Sequence, residues 1–183
     1  MRKMGQKKRK AIPLAYFITF TSYGTWLHGG RKTSVDRQHN KPDTVYVPLI
    51  PTREVAAKAN MTEVAYLLNQ VCRDIVLNTI KEVCAHHAWE LFAAHVRTNH
   101  VHCVVRASVS PEKVMNTIKA YASRHLTKID SNRLKYWTRH GSTRYLWRSE
   151  DIMAAVRYVV LDQGKPMALF DGGKCSLEFD EMI

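Results

Sequence analysis

Cysteine is scarce in this chain of 183 residues, and its four copies, Cys72, Cys84, Cys103 and Cys175, include no Cys-x-x-Cys pair. That spacing argues against a disulfide framework, a zinc knuckle and a dithiol redox motif, and the thiols read as reduced ones of a cytoplasmic protein. Eight glycines and six prolines are too few for a collagen-like or low-complexity chain. No apolar run approaches the ~18 residues of a membrane span. Residues 11–20 are mostly apolar and follow a basic start, a superficial likeness to a secretory signal. However, Tyr16-Phe17-Ile18-Thr19-Phe20 alternates like a strand, and bulky Ser22-Tyr23-Gly24-Thr25-Trp26 stands where small residues would be cleaved, so no signal is expected.

Acid is the other shortage: 16 Asp and Glu face 28 Lys and Arg, a formal net charge of +12. The excess is local. Residues 1–10 hold six bases and no acid, and residues 97–148 hold eleven bases against Glu112 and Asp130. The rest of the chain is slightly acidic. Tyr121, Tyr136, Trp137, Tyr145 and Trp147 are interleaved with the basic middle. Cations hold a phosphate backbone and exposed rings stack on unpaired bases, so the pattern points to nucleic acid, single-stranded above all. A basic tail over residues 1–10 and one domain over residues 11–183 is the expected organisation, since no repeat or linker interrupts the chain.

Residues 15–22 are β-branched and aromatic and predict a first strand. The Gly- and Pro-rich residues 24–51 predict a long loop. Between residues 62 and 87 there is no Gly or Pro, and Val64, Leu67, Leu68, Val71, Ile75, Val76, Ile80 and Val83 recur at helical spacing, which predicts one long helix. Residues 89–97 and 99–106 predict two strands joined tightly at Thr98. Ser110-Pro111 offers a cap and a first-turn proline for a helix to about Lys128. A short strand is expected near residues 144–147. Ser149 then opens a last helix over residues 150–163, stopped by Gly164 and Pro166. This order predicts an α+β domain with a ferredoxin-like (RRM-like) antiparallel sheet.

Asn99-His100-Val101-His102-Cys103-Val104-Val105 carries the chemistry. Strand side chains alternate, so His100 and His102 share a face with Cα atoms roughly 6.5–7 Å apart, while Val101, Cys103 and Val105 turn to the core. Two imidazoles so placed can close on one divalent cation and leave room for a third ligand and substrate oxygens. The last helix offers that ligand. Tyr158 and Asp162 are i, i+4, about 40° apart on the wheel, and lie off the apolar stripe of Ile152, Val156, Val159 and Val160. Gln163 falls near the centre of that stripe. His95, on the neighbouring strand, is a further histidine to place relative to the pair.

The His-x-His strand preceded by Asn99 and the later Tyr158-Val159-Val160-Leu161-Asp162-Gln163-Gly164 resemble the HUH-type single-tyrosine transposases of the insertion-sequence-200-like group, the REP-associated tyrosine transposases especially. Residues 13–20 and Tyr23-Gly24-Thr25-Trp26-Leu27-His28-Gly29 share the likeness. The resemblance implies a metal-dependent endonuclease and strand transferase that cuts single-stranded DNA at hairpin-flanked sites. It implies Mg²⁺ or Mn²⁺ on His100, His102 and a third ligand four residues after the tyrosine. It makes Tyr158 the nucleophile on the C-terminal helix, leaving a 5′-phosphotyrosine and a free 3′-OH. The family's third ligand is commonly Gln or Asn. Wheel geometry favours Asp162; the amide preference keeps Gln163 as the alternative. Lys119, Arg124 and Lys128, with Tyr121, are the DNA contacts expected on the preceding helix, and Tyr121 is the rival nucleophile. Some relatives are dimers completing each other's sites and others are monomers, so a homodimer stays open; a cytoplasmic, nucleoid-associated location is expected. The competing reading is a domesticated, non-catalytic single-stranded DNA- or RNA-binding protein. A cyclic-phosphate phosphoesterase would need two separated His-x-Thr/Ser motifs, and only His125-Leu126-Thr127 is present, in a predicted helix.

Overall fold

Strand β1 (Ala15–Thr21) alternates as its sequence demands: Tyr16, Ile18 and Phe20 face one side of the sheet, and Phe17, Thr19 and Thr21 the other. The computed structural model describes residues 12–26 and 51–173; the basic tail, most of the expected 24–51 loop and Cys175 lie outside the described residues. After β1 come helix α1 (Pro51–Ala59), helix α2 (Gln70–His86), strands β2 (Glu90–Val96) and β3 (His100–Arg106), and helix α3 (Pro111–Thr127). Strand β4 (Ser142–Leu146), helix α4 (Ser149–Val160) and strand β5 (Ala168–Asp171) complete the order. The sheet runs β4-β1-β3-β2-β5 with every pair antiparallel. Its first four strands are in the expected ferredoxin-like order, and β5 is added at the β2 edge.

Two cores sandwich the sheet. On one face Ile18, Phe20, Val96, Val101, Cys103 and Val105 meet Val76, Ile80 and Val83 of α2 and Val114, Ile118, Ala122 and Leu126 of α3. On the other, Ala15, Phe92, Val104 and Leu146 meet Ile152, Ala155, Val156 and Val159 of α4. Cys72, Cys84 and Cys103 are buried free thiols, and among the described residues no helix is long and apolar enough to cross a membrane.

Several boundaries differ from expectation. Helix α2 starts at Gln70, eight residues late. Residues 62–69 instead hydrogen-bond across the fold, Tyr66 N–H to the Tyr23 carbonyl at 2.8 Å and Leu68 N–H to the Thr98 carbonyl at 2.7 Å. Asn69 is the true N-cap, its Oδ1 accepting from Cys72 N–H at 2.9 Å. Ser110 caps α3 with Pro111 in the first turn, as expected. In α4 the cap is Arg148 rather than Ser149, and Asp151 accepts from the Arg148 backbone N–H. Helix α1 and strand β5 were not expected, and α4 ends at Val160 rather than 163.

Candidate nucleic-acid cleavage site

The α4 face of the sheet carries the two histidines. Register pairs Thr19 with His102 and Thr21 with His100 across β1 and β3. His102 is buried, and the two imidazole centroids stand 4.7 Å apart. Each ring is oriented through Nδ1: His100 Nδ1 lies 2.8 Å from Asn99 Oδ1, and His102 Nδ1 lies 2.7 Å from Thr19 Oγ1. Asn99 Oδ1 can only accept, so His100 keeps its lone pair on Nε2; the Thr19 hydroxyl can play either part, and when it accepts from Nδ1–H, His102 has the same tautomer, the one a metal ligand needs. Burial, reinforced by His100 and His95, pushes the His102 pKa down to about 3, so its imidazole is neutral at neutral pH.

That shift has a measurable cost in acid. Between about 3 and 6.5 the unfolded chain binds a proton at His102 that the folded chain does not. Stability present above pH 6.5 is therefore lost as the pH falls through this window, by at most about 1.4 kcal/mol per pH unit from this group. The urea midpoint is expected to be lower at pH 5 than at pH 7; an unchanged midpoint would contradict the burial of His102.

Tyr158, on the last turn of α4, stands over this pair. Its ring meets His102 edge-on at 5.6 Å and Phe17 at 5.8 Å, and Phe17 stacks on His102 at 5.5 Å. The ring cluster fixes the tyrosine against the histidines of its own chain, while 42% of Tyr158 remains accessible. Phe17 and Thr19 were not singled out from the sequence. The signal was there, since Thr19 is a polar residue at an interior strand position on the side of β1 opposite Ile18.

The end of α4 places Asp162 and Gln163 in different surroundings. The last helical bonds run from Leu161 N–H to Arg157 and from Asp162 N–H to Tyr158. The next acceptor, the Val159 carbonyl, bonds His95 Nδ1 at 3.0 Å rather than continuing the ladder. The ladder thus ends with Asp162, and the chain turns at Gln163. Asp162 is exposed, whereas the half-buried Gln163 donates its Nε2–H to the Tyr158 carbonyl at 3.3 Å and comes within hydrogen-bonding reach of the His102 ring. Among the described residues no three His, Cys, Asp or Glu side chains gather around a common point. His95 is next to His102 in register, but its Nε2 accepts from Met167 N–H at 3.1 Å, so both its nitrogens serve the backbone.

Helix α3 lies across the sheet from this site. Lys119 is buried, and its ammonium donates to the carbonyls of Thr138 at 2.9 Å and His140 at 3.0 Å, so it ties a loop down rather than facing DNA. Burial lowers its pKa to about 8. Arg124 and Lys128 are exposed, and Arg124 covers the Tyr121 ring at 4.9 Å. Tyr121 therefore sits on the wrong face to meet His100 and His102.

Residues 62–151 match the family described as "Transposase IS200 like". No curated protein matches the chain. Among solved structures, a REP-associated tyrosine transposase bound to a REP hairpin is 12% identical, with a TM-score of 0.44 over 85% of this chain and 70% of that one. A candidate transposase from Deinococcus radiodurans R1 is also 12% identical, with a TM-score of 0.45 over 87% of this chain and 98% of that one. The matched stretch holds Asn99, His100 and His102 and ends before Tyr158. Over those residues the chain is similar to the IS200-like transposase family.

Proposed function

We propose that the chain is a metal-dependent single-stranded DNA endonuclease and strand transferase, with Tyr158 as nucleophile and His100, His102 and Gln163 as the metal-binding set. The observation that carries this reading is the Tyr158 ring resting on a neutral, buried His102 whose Nδ1 is already engaged. Two imidazole nitrogens and a carboxamide oxygen suit Mn²⁺, and Mg²⁺ with its own waters. Such an ion, when bound, would withdraw charge from the scissile phosphate.

The protein's own part is positional. Asn99 and Thr19 each hold one ring through its Nδ1. Phe17 sets the height of Tyr158 above them. The phenol oxygen attacks phosphorus and loses its proton as the new ester forms. The P–O3′ bond breaks, and the departing 3′ oxygen takes up a proton to become the free 3′-OH. The ester keeps the bond energy, so rejoining to another 3′-OH needs no nucleotide cofactor. Because Tyr158 and His102 already meet within one chain, cleavage needs no second copy to complete the site. Hairpin-flanked DNA is the substrate class, on the family likeness.

Covalent capture tests this. The full chain is mixed with labelled single-stranded DNA from the flanks of its own gene and Mn²⁺, then run on a denaturing gel. A slow, protease-sensitive DNA band that EDTA abolishes is the expected result. Tight DNA binding with no adduct under any metal would favour the non-catalytic binding protein. Replacing Gln163 with Leu is expected to raise the Mn²⁺ concentration for half-maximal adduct by roughly 10- to 100-fold. Asp162→Leu should leave it within about twofold, and the opposite ranking would return Asp162 to the metal.

A further inference from the structure

Of the five aromatic residues interleaved with the basic span, two are left without work by the site and the core. Tyr136 is buried, and Trp137 donates its indole N–H to the Lys119 carbonyl at 3.1 Å. Tyr121 lies under Arg124. Tyr145 and Trp147, by contrast, are 43% and 50% exposed, with ring centroids 6.1 Å apart and planes within 15° of parallel. Their backbone is fixed: Leu146 between them is fully buried, and its carbonyl accepts from Leu14 N–H at 2.8 Å. Tyr16 braces Tyr145 edge-on at 5.4 Å. Two parallel rings are thus held open to water on a rigid edge.

That edge borders the site. Strand β4 pairs with β1, placing Arg144 beside Phe17 and Ser142 beside Thr19 on the His face, while Tyr145 pairs with Tyr16 on the other. Tyr158 rests on Phe17, and Phe17 is the backbone partner of Arg144, so the tyrosine stands on the β1 side next to the β4 edge. Of the acids nearby, Glu112 accepts from the Thr143 hydroxyl at 3.0 Å and Asp151 pairs with Arg148 at 3.2 Å, while Glu150 is exposed on the first turn of α4. A strand leaving Tyr158 across this edge passes the exposed Arg144 guanidinium with its phosphates and meets the two rings with its bases.

We infer that Tyr145 and Trp147 form a stacking platform for the unpaired bases of a strand that crosses the β4 edge from the cleaved phosphate, an inference that rests on the proposed single-strand nuclease reading. Stacking is indifferent to base identity and impossible for a paired, stacked duplex, so the platform would select single strands without reading sequence.

The test uses the full chain in EDTA, which separates binding from cleavage. Fluorescence anisotropy is measured with a fluorescein-labelled oligothymidylate and with a duplex of the same length. Trp147→Ala and Tyr145→Ala should each weaken oligothymidylate binding about 5- to 100-fold and change duplex binding by less than about twofold. Trp147→Phe should retain most of the affinity. Independently of any folding defect, oligothymidylate should quench wild-type indole fluorescence, and the quench should shrink in Trp147→Phe. Wild-type affinity in both alanine variants, with adduct still formed in Mn²⁺, overturns the platform and leaves the nuclease reading standing. Equal loss on single strand and duplex also overturns it, by assigning the rings to the fold. No single-strand binding by the wild-type chain overturns both.

Discussion

A Tyr158→Phe chain is expected to form no covalent adduct with single-stranded DNA, at least ~10³-fold below the wild type, while Tyr121→Phe forms it normally. The first substitution removes one oxygen and nothing else of consequence. The phenyl ring that meets Phe17 and His102 edge-on stays in place, and the residue is half exposed, so the stability change should stay within about 0.5 kcal/mol. DNA affinity in EDTA should hold within about twofold. Loss of the adduct together with retained binding and retained fold is the signature of a missing nucleophile. Tyr121 provides the control because it lies beneath Arg124 on α3, with the sheet between it and the histidines. If Tyr121→Phe abolished the adduct and Tyr158→Phe did not, the nucleophile would have to be reassigned, and with it the face of the sheet on which DNA is cut.

The second large effect concerns stability. Phe20→Ala should cost about 3–5 kcal/mol, a substantial part of the ~5–15 kcal/mol that holds such a domain together. At this chain length the fall in Tm would be on the order of 6–20 °C. Phe20 is fully buried on β1, and its ring packs edge-on against Trp137 at 5.1 Å. The Lys119 ammonium sits 5.3 Å from its centroid. Removing the ring therefore leaves both a void and a buried cation with less to rest on. Phe20→Leu, which fills most of the space, should recover more than half of the loss. Thermal or urea unfolding of the three chains separates volume from ring. If Phe20→Ala cost under about 1 kcal/mol, the α2–α3 face would be less tightly packed than described.

Much of this architecture was legible because its signals are local. The period-two run at residues 15–21, the two strands around Thr98, and Ser110-Pro111 each state their own structure. The His100/His102 pair was readable for the same reason, since alternation alone puts both on one face. What was not legible depended on partners distant in sequence. Val64 and Leu67 fit a helical stripe, yet both are exposed, because backbone groups of Tyr66 and Leu68 are claimed by Tyr23 and Thr98. Asn69 was a cap signal in plain view that the apolar periodicity outweighed. Strand β5 is four residues long, too short for a pattern, and exists because β2 offers an edge. The surroundings of the two candidate ligands turned on the fold: His95 holds the Val159 carbonyl, and beyond it Gln163 neighbours His102 while Asp162 is exposed. Lys119 is the converse case, a cation whose composition suggested DNA and whose surroundings are two carbonyls and a ring.

His95 has a consequence beyond ending a helix. One imidazole holds the Val159 carbonyl and the Met167 amide at once, so the segment between them is a small loop whose two feet are clamped by a single side chain. The stretch inside it, Val160 to Pro166 by sequence, includes Gly164 with φ of 69°, a conformation that glycine adopts without strain. Arg97 adds a further hold by donating to the Lys165 carbonyl at 2.5 Å, so the tip left to vary is the turn just before it, and two demands are separated. The feet keep the tyrosine helix and β5 in register with the sheet, while the tip can lengthen, shorten or trade one ligand for another at little entropic cost. The corner next to His102 is thus the most evolvable part of this site: insertions there, unlike changes at His95, would alter which side chain reaches the histidines without moving the tyrosine.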